Sequence, residues 1–218
     1  MEKEVKSKPS LIGMFSSPGE QFDRMRQNPT IWIPLILISV VYAIGMYLMS
    51  QSMDASYLGF EGMSEEEIEI ALAFSKIFVV ITGILTPAFV ALISSAIYMI
   101  FTKIAGSGVS FKQLFSMNTH IMIIGAAGLI INMALRLVIG GNPDVMPTSL
   151  AALMNSDTPG VMGSFELFSI WQVIVTAIGL HRLAGLSKGW AWGISIGFFL
   201  LGLVFAYIGT LFSTMTGF

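Results

Sequence analysis

Cysteine is absent from the 218 residues, so the chain carries no disulfide framework, no thiolate metal site and no cysteine nucleophile. Charge is scarce as well. Asp, Glu, Lys and Arg make up 11% of the sequence, less than half the roughly 25% usual in globular domains, against 55% hydrophobic residues and a mean hydropathy of +0.80. That balance excludes a water-soluble fold, and the same hydrophobicity excludes a disordered chain. With 11 bases against 13 acids there is no basic excess for nucleic acid. Catalytic signatures are scarce too: there is no GxxxxGK[ST] phosphate loop and no HExxH, while His120 and His181 stand alone. These absences predict a non-enzymatic membrane protein with no cofactor, no catalytic residue and no metal. Met46, Met49 and Met53, three and four apart, have the softness for Cu(I), but without His or Cys beside them they read as adaptable apolar filler.

What is present is long apolar runs. Crossing about 30 Å of hydrocarbon takes roughly 20 residues, and the pattern predicts an all-α, polytopic fold of five transmembrane helices with short interfacial helices. The spans fall near 31–50, 77–102, 121–139, 167–183 and 190–212. The fourth is the shortest and is interrupted by Gln172 and Thr176. A single membrane domain over 11–215 follows a disordered cytoplasmic tail, 1–10, and the first span has no small-residue cleavage site, so it reads as a retained anchor in the cell membrane.

Charge position orients the spans, because cytoplasmic loops keep Lys and Arg. Lys3, Lys6, Lys8, Arg24, Arg26, Lys103, Lys112, Arg182 and Lys188, nine of the eleven bases, flank one set of span ends together with four acids, giving +5. The opposite ends carry Lys76 and Arg136 with nine acids, Asp54, Glu61, Glu65, Glu66, Glu67, Glu69, Asp144, Asp157 and Glu166, giving −7. The N-terminus is therefore expected inside and the C-terminus outside. Trp32, Trp190 and Trp192 sit at inner span ends as interface anchors.

Local signals fill in the rest. Leu11, Ile12, Met14 and Phe15 precede Ser17-Pro18-Gly19-Glu20, where Ser17 and Glu20 form a capping box and Pro18 takes the first turn of a helix that Asn28-Pro29 ends. Phe22 and Met25 share one face of it, which either lies on the inner membrane surface or packs on the protein's own bundle. Ser64 before Glu65-Glu66-Glu67 is a second capping box, opening a helix that runs to Thr102 and projects beyond the bilayer. Pro87 inside it crowds the carbonyl of Gly83, so a kink is expected, eased by Thr82 or Thr86 and acting as a hinge or as fixed geometry. After Gly106-Ser107-Gly108, Ser110 caps a short segment with Phe111, Leu114 and Phe115 on one face, a second interfacial helix. The 26-residue outer segment 140–165, with a short helix near 148–154, is either a binding lid or disordered.

Polar groups inside a membrane are expensive and are the default functional candidates. Gly128, Asn132 and Arg136 recur every four residues in the third span; Ser169, Gln172, Thr176 and Gly179 recur at helical spacing in the fourth. Counting depth from the outer ends pairs Asn132 with Gln172 and sets Arg136 level with Glu166, to pair with it or to reach outward. These contacts read first as interhelical bonds and second as a substrate or proton path. Small residues mark close helix approach at Gly125 and Gly128 and at the GxxxG pair Gly193 and Gly197. The acids Glu65, Glu66, Glu67 and Glu69 form an outer surface able to attract a cationic partner.

Three stretches resemble one family. Met14-Phe15-Ser16-Ser17-Pro18-Gly19-Glu20-Gln21-Phe22 ahead of Pro29 and Trp32, Gly108 to Phe115, and Trp171 to Gly179-Leu180 are similar to the Yip domain, named for Ypt/Rab-interacting proteins. The likeness covers most of 11–210 and the five-span layout. Eukaryotic members carry a longer hydrophilic N-terminal region than this chain, and the resemblance to bacterial members implies an accessory protein that associates with an ABC-type exporter in resistance to a toxic peptide. The expected function is therefore a non-enzymatic accessory or assembly protein in contact with the lipid bilayer and a membrane protein partner, with a homo-oligomer left open. A small transporter or channel acting alone and a membrane-shaping protein are the alternatives.

Overall fold

The structure, a computed structural model, describes residues 7–51, 53, 64–142 and 144–216. Among these residues the chain is helix and loop, with one isolated bridge between Ser149 and Glu166. Two short helices, α1 (Gly13–Ser16) and α2 (Pro18–Gln27), lead into α3 (Trp32–Gln51), α4 (Glu65–Ile104) and α5 (Phe111–Ile139). The single-turn helices α6 (Leu150–Leu153) and α7 (Gly160–Gly163) precede α8 (Leu167–Arg182) and α9 (Lys188–Thr216). Among the described residues four helices are long and apolar enough to cross a membrane: Trp32–Gln51, Glu65–Ile104, Phe111–Ile139 and Lys188–Phe212. The 16-residue α8, about 24 Å at 1.5 Å per residue, falls short of the roughly 30 Å of hydrocarbon, so the structure has one span-length helix fewer than the apolar runs predict.

Side-chain caps fix most helix starts. Ser64 accepts from the Glu67 N–H at 3.4 Å while the Glu67 carboxylate accepts from the Ser64 N–H at 2.9 Å, and α4 then runs unbroken for 40 residues, about 60 Å. Ser110 and Gln113 form the same reciprocal cap on α5. Nothing after Phe111 breaks that helix, so Phe111 and Phe115, stacked at 6.0 Å, belong to the first turns of a 29-residue helix and the expected separate interfacial helix does not exist. Gly140, at φ 68°, ends α5, a conformation that favours glycine.

The expected capping box at Ser17 is not formed. Its hydroxyl accepts instead from the Gln21 amide at 3.4 Å, and Glu20 pairs with Arg24. Gln21 also draws in the N-terminal segment, its Oε1 accepting from the Ser10 N–H at 2.9 Å, so residues 8–10 of the expected disordered tail are held against α2; residues 1–6 lie outside the described residues. The apolar face of α2 turns inward: Phe22 and Met25 are fully buried against α5 and α8, which selects packing on the bundle over the membrane surface.

The core gathers Met14, Phe22 and Met25 from α1 and α2, Leu114, Met117 and Ile124 from α5, and Val175 and Leu180 from α8. α5 is the central helix and touches α3, α4 and α8. The basic segments meet at one end: Gln113 donates to the Arg26 carbonyl at 2.8 Å, Ser107 to the Ala184 carbonyl, and Arg182 pairs with Asp23 at 3.4 Å. α8 runs to this basic end from an opposite, acidic end that holds Glu166 and the segment from 140 to 165.

Candidate functional site

The acidic end is closed by a polar network that begins on α5. Gly128, Asn132 and Arg136 lie one turn apart on one face, as their spacing predicts, and all three are buried. Asn132 Nδ2 donates to the Gly128 carbonyl at 2.9 Å and to Glu166 Oε1 at 3.4 Å, while Asn132 Oδ1 accepts the backbone N–H of Thr148 at 2.9 Å and lies 2.9 Å from its hydroxyl. Glu166 is also the N-cap of α8. Its Oε2 accepts from the Ser169 N–H at 2.8 Å and the Ser169 hydroxyl at 3.1 Å, and its Oε1 accepts the Thr148 hydroxyl. Arg136 donates to the Val145 carbonyl at 3.1 Å.

Segment 140–165 is therefore built in as a lid, its described residues tied to α5 and α8 through Thr148, Val145 and the Ser149–Glu166 bridge, with Asn142 donating to the Asp157 carbonyl at 2.6 Å. Two expected pairings are replaced. Asn132 bonds Thr148 and Glu166, not Gln172, because α8 begins at the level of Asn132 and carries Gln172 deeper, against Gly125. Arg136 neither pairs with Glu166, whose oxygens are taken by Thr148, Asn132 and Ser169, nor reaches outward; it is 7% exposed and held under the lid. Thr148 and the Val145 carbonyl had no signature in the sequence beyond a polar, glycine-rich loop.

Glycines set how closely the helices approach. A Cβ on Gly128 would lie 2.7 Å from the Phe168 side chain, and one on Gly125 would lie 2.6 Å from the Gln172 amide nitrogen and 2.9 Å from the Tyr42 hydroxyl, so both act in packing as expected. Gly83 admits Met46 of α3. The hydroxyls of Thr82 and Thr86 bond the carbonyls of Val79 and Thr82, not that of Gly83, so they do not ease Pro87 in the expected way; Pro87 itself is buried within a continuous α4. Gly193 and Gly197 are a correction as well. A Cβ at either would meet nothing within 4 Å among the described residues, so this GxxxG pair packs on none of the described helices and lies open.

Toward the basic end, Phe15 meets Trp171 edge-on at 5.4 Å, Pro18 occupies the first turn of α2, and Phe22 reaches Gly179 on α8. His120, fully buried on α5, holds the Ser116 carbonyl with Nδ1 at 2.7 Å, while its Nε2 has no partner among the described residues. At the far end of α4, Glu65, Glu66, Glu67 and Glu69 are exposed, and the Ser64 N–H, then its hydroxyl, hold the Glu67 carboxyl below its ordinary range. Among the described residues no cluster of three His, Asp or Glu side chains is gathered as a metal site needs.

A bundle of long apolar helices, capped at one end by a hydrogen-bonded lid and at the other by basic loops, defines a multi-pass α-helical membrane protein. The family model described as the Yip1 domain matches residues 12–209, and the chain belongs to that family. It is 33% identical over 217 residues to the membrane protein YknW of Bacillus subtilis (strain 168), covering 96% of this chain and 94% of that protein. No solved structure matches.

Proposed function

We propose that the protein is a non-enzymatic accessory subunit that associates with another membrane complex. The observation that carries this reading is α4: about 60 Å long, it leaves Phe74, Phe78, Ile81, Phe89 and Ile93 exposed along its length and ends in four exposed acids. An apolar ridge continued by a charged, projecting helix end suits a second membrane protein, with the acids steering a basic surface on it. Asn132 and Glu166 support the same reading, since they spend their hydrogen bonds on α5, the start of α8 and the lid and offer little to a transported solute. Burial of Phe22 and Met25 leaves α2 without the free apolar face that membrane shaping needs.

The partner best matched to the resemblance is an ABC-type exporter acting in resistance to a toxic peptide. In this reading the chain crosses the cell membrane five times, with α8 as the short fourth crossing, the basic end in the cytoplasm and the C-terminus outside. Purification through a tag in mild detergent tests it: transporter subunits recovered in fixed ratio support the association, and a chain that repeatedly emerges alone contradicts it.

A further inference from the structure

Between α4 and α9 the bundle opens sideways. Phe198 of α9 reaches across to Tyr98 and Phe101 of α4, with ring centres 5.0 and 6.1 Å apart, and divides the opening into two halves that it lines in common. The half nearer the basic end is apolar, about 750 Å³, and is floored by Gly193 and Gly197. The half nearer the acidic end, about 380 Å³, is walled by α4, α5, α8 and α9 and reaches Ser164 of the lid.

The second half has unspent hydrogen-bonding capacity. The Gln172 carboxamide lines it and makes no hydrogen bond among the described residues; Asn118 donates its amide to Ser95 Oγ at 2.8 Å, which leaves its carbonyl oxygen open to the cleft. The Ser94 hydroxyl lines the opposite wall. At hydrocarbon depth such groups are costly unless something completes them. Among the described residues no charged side chain lines either half.

We propose that this cleft binds a neutral glycerolipid of the diacylglycerol class, entering from the bilayer between α4 and α9. The occupant comes from the bilayer because the opening faces it. An ester carbonyl accepts from the Gln172 amide, and a free hydroxyl donates to the carbonyl oxygens of Gln172 or Asn118. One acyl chain passes Phe198 into the apolar half along Gly193 and Gly197, so the lipid's polar part lies nearer the acidic surface and its tail extends toward the basic end. A phosphate-bearing headgroup would bring an anion against a wall without a cation, which disfavours phospholipids. This assignment goes beyond the accessory role and does not depend on it.

The test places the full chain in nanodiscs of phosphatidylethanolamine and phosphatidylglycerol containing a diacylglycerol with a diazirine in one acyl chain. The site predicts adducts concentrated on α4 and α9, around Ile97, Phe101, Gly193 and Gly197. Gln172→Leu should lower the labelling about fivefold, the equivalent of one net hydrogen bond. Gly197→Leu, which fills open space and leaves folding intact, should abolish it. Adducts spread evenly over the lipid-facing helices and unchanged in both variants would overturn the proposal, as would equal competition by phosphatidylglycerol. Protection of the cleft by a second protein or a second copy of the chain would overturn it too.

Discussion

Thr148 donates its backbone N–H to Oδ1 of Asn132 at 2.9 Å, while its hydroxyl, also 2.9 Å from that oxygen, donates to the neighbouring Glu166 carboxylate. This pair fastens the lid to the central helix. Asn132→Leu keeps the volume but leaves the Thr148 N–H without an acceptor, at a cost of about 1–3 kcal/mol. A lower thermal midpoint in detergent, with faster hydrogen exchange at Thr148 and its neighbours, is the expected outcome. Gln172→Leu should leave exchange in the lid unchanged.

Gly128 and Gly193 look alike in sequence and should respond oppositely. A side chain at Gly128 collides with Phe168 close to its backbone, so Gly128→Leu must part α5 from α8 and should destabilise by about 1–3 kcal/mol. Gly193→Ala meets open space, and the better helix propensity of alanine makes it neutral or stabilising by up to about 1 kcal/mol. Denaturation of the two variants in mixed detergent micelles measures the difference.

The cap on α4 is a pH-dependent feature ahead of the helix's apolar stretch. Hydrogen bonds from Ser64 lower the pKa of Glu67 in the folded state, so the stabilisation is fully present above the unfolded pKa and is lost as pH falls through the folded one. Amide exchange at Glu67 and Ile68, corrected for intrinsic rates, should rise as the solution is acidified. Glu67→Gln, which retains the reciprocal cap without a titrating carboxyl, should remove that dependence.

Much of this was legible from the chain. Ser64 with Glu67, the stop at Asn28-Pro29 and the long apolar runs are local signals, and local signals survive folding. The Asn132–Gln172 pairing failed because depth counted along two helices assumes that they start level; α8 begins at Glu166, beside Asn132, and the intervening segment folds back to claim the amide. Gly193 and Gly197 failed for a different reason. A GxxxG spacing states that a close approach is sterically allowed, and says nothing about whether another helix fills the space. The length of α5 is readable, since no proline follows Ser110 before Gly140, but the apolar triplet Phe111, Leu114 and Phe115 has the spacing of a shorter interfacial element as well.

The proposed sidedness puts the basic end in the cytoplasm and the acidic end outside. With no native cysteine, Ser107→Cys and Ser187→Cys should label with an impermeant maleimide only after cells are opened, and Asn155→Cys should label in intact cells. Labelling of Asn155→Cys and Ser187→Cys from the same side would mean that α8 does not cross.

The accessory role rests on the exposed ridge of α4, and site-specific photocrosslinking tests it there. A benzoylphenylalanine placed at Phe74, Phe78 or Ile81 in the protein's native cells should give a discrete adduct with one membrane protein, identified by mass spectrometry. Adducts with lipid alone at all three positions, in cells where the chain is folded and inserted, would contradict the association.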